Sequence, residues 1–184
     1  MKTVSSYYFL MAQLPALVSA AALPVSVEAF RELAFRYLNA RDRRILTGLT
    51  LEPARSVLQT GSVLVDRWME HERVLRLALE RQRAAKQKRD LHPDISADEL
   101  MARWPETVQA ARTAASMDNP LEAELFLYKI RSARVEALRG TDIFGSDAVF
   151  AYALLLMLRE RRDLFEASAG RAAYTAIYNQ ILGE

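Results

Sequence analysis

The side chains best suited to chemistry are few in this chain. It has two histidines and no cysteine. Without thiols there is no thiolate zinc site, no iron–sulfur cluster and no cysteine nucleophile. No His-Glu-x-x-His or Glu-x-x-His occurs, so no helix presents a histidine-based metal or hydrolytic motif. His71 lies on an apolar helix face and reads as a hydrogen-bonded structural residue. His92 reads as a solvated turn residue. The segment Gly140-Thr141-Asp142-Ile143-Phe144-Gly145 has the glycine spacing of a phosphate loop. Ser146-Asp147 follows, so the lysine that would reach the phosphates is missing. The segment reads instead as a helix–helix connection with a cap. No Gly-x-Ser-x-Gly elbow occurs. The 23 acidic side chains could include a carboxylate pair, but no spacing marks one. No catalytic residue, metal ligand or cofactor is expected, and the chain reads as a non-enzyme.

One run of charge could make contacts. Arg81, Arg83, Lys86, Lys88 and Arg89 form a basic stretch that could meet phosphate or an anionic surface. It lacks the interleaved aromatic residues of a nucleic-acid groove and reads as a solvated helix end. The net charge of +2, with a pI near 9.0, is mild for a dedicated nucleic-acid binder. No nucleic-acid partner is expected.

The elements that must position these residues are helices. The chain has 184 residues, 51% apolar and 26% charged, with six glycines and six prolines. Few turn residues argue against a many-stranded sandwich. The expected fold is all-α: a single compact helical domain with a protruding antiparallel helical hairpin over about 62–117. A first helix is expected over 6–14, ending near Pro15. Ser26 caps a second, to about Leu38, with Val27, Phe30, Phe35 and Leu38 as candidate core. Short helices follow over 39–46 and 54–58. The longest helix runs over about 62–89. Its residues Leu64, Trp68, His71, Leu75 and Ala78 share one face. The return arm opens on Ser96 and Glu99, a capping-box pattern. It breaks at Trp104-Pro105 and resumes to about Met117. Ala110, Ala111, Ala114 and Ala115 on that arm allow close approach.

Between positions 67 and 90 there are eight basic and four acidic residues, and between 94 and 124 two basic and seven acidic. Arms of opposite sign are expected to pair. Asn119 caps the next helix, with Pro120 in its first turn and Glu122 reaching back to the cap. Ser146 or Asp147 opens a helix whose segment 148–158 is apolar on every side, the signature of a buried central helix. A last helix is expected over 167–182, packed against the first. No stretch approaches the ~20 apolar residues of a membrane span. The early Lys2, the apolar run over 7–17 and Val18-Ser19-Ala20 outline a secretory signal. Gln13 and Pro15 interrupt that run, so an apolar first helix in the core is the competing expectation.

Three blocks carry a family likeness. They are Tyr7-Tyr8-Phe9-Leu10-Met11-Ala12-Gln13-Leu14-Pro15, Asn119-Pro120-Leu121-Glu122-Ala123-Glu124-Leu125-Phe126-Leu127, and Asp142-Ile143-Phe144-Gly145-Ser146-Asp147-Ala148-Val149-Phe150-Ala151-Tyr152-Ala153-Leu154. Together the chain resembles a small uncharacterised family encoded in bacterial V-type (A-type) ATPase operons. Members are thought to stand in for the all-helical socket of the rotor, the C-type component (d-type in eukaryotes). The resemblance implies a non-catalytic connector between the proteolipid ring and the central stalk. It would lie in the cytoplasm, peripheral at the inner face of the cell membrane. The chain is much shorter than a typical C-type socket. Within the blocks, Tyr7, Tyr8, Pro15, Asn119, Pro120, Glu122, Asp147 and Tyr152 are the positions to locate. The alternative is a soluble helical adaptor that binds protein or nucleic acid through the basic tip. A carboxylate enzyme is a third and weaker option.

Overall fold

The computed structural model describes residues 6–17, 23–53, 59–90 and 95–165. The expected helices over 54–58 and 167–182, and the turn at His92, lie outside the described residues. Among the described residues there are eight α-helices and no strand. They are α1 (Tyr8–Met11), α2 (Val27–Tyr37), α3 (Ala40–Gly48) and α4 (Val63–Lys86). The rest are α5 (Ile95–Ala102), α6 (Pro105–Ser116), α7 (Pro120–Arg139) and α8 (Ser146–Asp163).

Local chemistry sets most of the ends. The side chains of Ser26, Asn39, Ser62 and Asn119 each accept a backbone N–H in the first turn of α2, α3, α4 and α7. Asn119 Nδ2 also donates to Glu122 Oε1 at 3.1 Å, so Glu122 meets the cap's side chain. The capping-box reading at Ser96 does not hold. Helix α5 already includes Ile95, which puts Ser96 inside the helix. Pro105 ends α5's run and opens α6, as its missing N–H requires.

Two apolar clusters form the interior. The larger gathers Leu10, Phe30, Leu46, Trp68 and Val135 around Phe150 and Leu154 of α8. The smaller joins Leu75, Ala78, Met101, Ala111 and Leu127. Helix α8 is central, with eight of the apolar side chains between 148 and 158 buried. Tyr152 is half-buried and donates its hydroxyl to Pro15 O at 3.0 Å. Phe30 and Leu38 are buried as expected, and Val27 and Phe35 only partly. At the N-terminus, Tyr7 and Leu10 are buried, whereas Tyr8 and Phe9 are exposed.

The five seam residues of α4 are all buried. The α4 and α6 arms pack together; Ala110, Ala111 and Ala114 are buried, and Ala111 and Ala114 share an apolar cluster with Leu75 and Ala78 of α4. Helix α7 packs on both arms and on α8, so the arms form two sides of a three-helix layer. The charge pairing between arms is mixed. Arg81 meets Asp98 at 2.5 Å in the expected sense, but Glu70 on α4 meets Arg103 at 3.6 Å in the opposite one.

Candidate functional site

Two of the three sequence blocks meet in space. Tyr7 N donates to Phe144 O at 2.6 Å, and the Tyr8 and Phe144 rings lie 4.8 Å apart. Tyr152 of the third block bonds to Pro15 of the first. A buried polar knot fixes this junction. Tyr7 Oη donates to Asp42 Oδ2 at 2.5 Å, and Asn39 Nδ2 donates to Tyr7 Oη at 2.9 Å and to Asp42 Oδ2 at 3.2 Å. Asp147 accepts from Ser62 Oγ at 2.8 Å and so ties the start of α8 to the start of α4. Asn119, Pro120 and Glu122 stand apart, at the far end of α7. Its 20 residues span about 30 Å.

The junction leaves rings in solvent. Tyr8 is 54% exposed, Phe9 73% and Ile143 52%. Tyr8 and Phe9 meet edge to face at 5.7 Å. Tyr37, also exposed, accepts a hydrogen bond from Gln13 Nε2, which donates to Phe9 O as well. Exposed large apolar side chains grouped in this way make the junction a candidate contact surface.

The basic tip does not form one patch. Arg81 pairs with Asp98, and Lys86 Nζ donates to Ala115 O. Both turn toward the return arm. Arg83 and Arg89 line a cleft on another side, against α7 and α8. Lys88 is exposed, with φ of 52°. Residues two apart on a helix point about 200° from each other, so a basic run spreads around the axis.

A buried polar layer divides the two apolar clusters. Glu72 is 1% exposed. Arg131 of α7 grips it with two bonds of 2.9 Å, and Arg76 Nε adds a third at 3.1 Å. His71 stacks at 6.1 Å on Trp68 and lies edge-on at 5.8 Å to Trp104. Its Nδ1 has no hydrogen-bond partner among the described residues, so ring packing holds it rather than the expected hydrogen bond. Burial holds the imidazole's pKa down to about 4, with Arg134 and Arg131 adding to that and Glu72 opposing it. Arg134 lies over the Trp104 ring at 4.4 Å, and burial lowers its pKa too. Burial also pushes the Tyr152 hydroxyl up to about 12.

Glu72, Arg76 and Arg131 pair with one another across α4 and α7. Among the described residues no group of three or more His, Asp or Glu is placed to hold a metal. None of the described helices is long and apolar enough to cross a membrane. No protein-family model, no curated protein and no solved structure matches this chain. The family likeness therefore rests on the three sequence blocks alone.

Proposed function

We propose that the chain is a non-catalytic connector of a bacterial V-type or A-type rotary ATPase, similar in role to the C-type socket. It would join the proteolipid ring to the central stalk from the cytoplasmic face of the membrane. The observation that carries this reading is the meeting of two resemblance blocks at one exposed aromatic surface. Buried packing explains Leu10 and Phe150, but it does not explain why Tyr8 and Phe9 point outward. Burying one such ring against a partner contributes roughly 1.5–3 kcal/mol, enough for a few rings to anchor the connector. A helical body with its elements tied by Tyr7–Asp42 and Ser62–Asp147 suits a part that carries torque. The adaptor reading has less support, since the basic tip is divided between two sides of α4.

The test is a tagged pull-down from gently solubilised native membranes, read by mass spectrometry. Recovery of proteolipid and central-stalk proteins is the expected result. Their absence from the eluate, with the ATPase intact in the same extract, would overturn the assignment.

A further inference from the structure

Helices α4, α7 and α8, with Glu52 from the segment before α4, border an open cleft lined by none of the exposed rings. Its volume is about 490 Å³, within the roughly 300–1,000 Å³ of small-molecule sites. Arg76 and Arg83 enter from α4, Arg89 from just beyond it, Arg131 from α7 and Arg161 from α8. Every cation lining it is arginine, although Lys86 and Lys88 are close in the chain. Arginine's planar fork matches a pair of phosphate oxygens, which a lysine's point charge does not.

The pairing pattern narrows the site further. Glu72 accepts from both Arg131 and Arg76 and so fixes their orientation. Arg89 lies 3.6 Å from Glu80. Glu52 and Glu124 sit near Arg76 and Arg131, at 3.7 and 4.0 Å. The guanidiniums of Arg83 and Arg161 have no ion-pair or hydrogen-bond partner among the described residues. Arg83 and Arg161, without such partners among the described residues, thus line one cleft from different helices, a cleft that Glu52, Glu80 and Glu124 line as well. An anion bound in the cleft would give these two cations the counter-charge that the glutamates already give Arg76, Arg89 and Arg131.

We infer that this cleft binds a phosphate-bearing group, gripped by Arg83 and Arg161 beside the pre-oriented Arg76 and Arg131. The group belongs either to a soluble phosphorylated metabolite or to a phospholipid headgroup. This inference stands independently of the ATPase assignment.

The test uses the full chain and two probes. Inorganic pyrophosphate is titrated by calorimetry at low and raised salt. Vesicles of phosphatidylcholine with phosphatidic acid are used for co-sedimentation. Arg83 is exposed and Arg161 half-buried, and neither belongs to an apolar cluster, so alanine variants keep the fold. Circular dichroism melts check that. Arg44→Ala, outside the cleft, is the control. The expected result is saturable, salt-sensitive binding that Arg83→Ala and Arg161→Ala each weaken at least tenfold and Arg44→Ala does not. Pyrophosphate binding assigns a soluble ligand. The same dependence seen only with vesicles assigns a headgroup. Binding to neither probe, or binding unchanged in both cleft variants, overturns the inference.

Discussion

Glu72 of α4 and Arg131 of α7 form a buried ion pair. Both are buried, and each satisfies the other's charge through two bonds of 2.9 Å. Glu72→Ala leaves a guanidinium buried without its partner, a loss of about 3–5 kcal/mol. That is a large part of the roughly 5–15 kcal/mol holding a typical domain together. Urea denaturation of Glu72→Ala is expected to show that fall. The double variant Glu72→Leu, Arg131→Met is expected to recover most of it, because an apolar pair removes both charges. His71 adds a pH dependence with a definite sign. Its pKa is about 4 when folded, against 6.5 when exposed. The unfolded chain therefore binds the extra proton first. The stabilisation is complete above pH 6.5 and is lost as pH falls toward 4, up to about 3 kcal/mol. Denaturation midpoints between pH 7 and 4 are expected to fall less steeply in His71→Leu than in the parent. The place of His71 was legible from helical spacing. The Glu72–Arg131 pair was not, because its members lie 59 positions apart and periodicity marks no polar partner at that range.

Helix ends and connections follow the same division between local and distant causes. Caps at Ser26 and Asn119 and the break at Trp104-Pro105 were readable, since a cap and a proline act within one turn. Ser96 failed because a capping pattern inside a continuing helix looks the same in sequence. The division of Arg81 from Arg83 was hidden too, since counting charges along a chain ignores the azimuth around the axis. The glycine pair after α7 has a conformational cause. Gly140 adopts φ 71° and ψ −160°, a region open essentially to glycine alone. At Gly145 a Cβ would collide with Asp142 Oδ2, whose partner oxygen caps the turn at Phe144 N. The spacing of a phosphate loop thus serves a chain reversal between α7 and α8. Gly140→Ala is expected to cost about 1–3 kcal/mol, seen as a lower melting temperature.

Over the whole molecule, α8 was legible as the buried centre because an all-round apolar helix has nowhere else to go. The assembly of α4, α6 and α7 into one layer was not, because α7's amphipathic pattern names no neighbour. The exposed surface was hidden for a related reason: Tyr7 and Tyr8 are adjacent and both aromatic, yet one is buried and the other outward. Their fates are decided by Asp42 and Phe144, far off in sequence. Phe9 is then the outermost ring of the proposed contact with the rotor. It is 73% exposed, so a substitution there leaves the fold undisturbed. The most direct measurement is photo-cross-linking in native membranes, with a benzophenone amino acid placed at Phe9. Covalent capture of a proteolipid or central-stalk protein is the predicted result, with no such product from the same probe placed at exposed Arg44. Capture of neither at Phe9, with the ATPase assembled in the same membranes, would contradict the connector assignment.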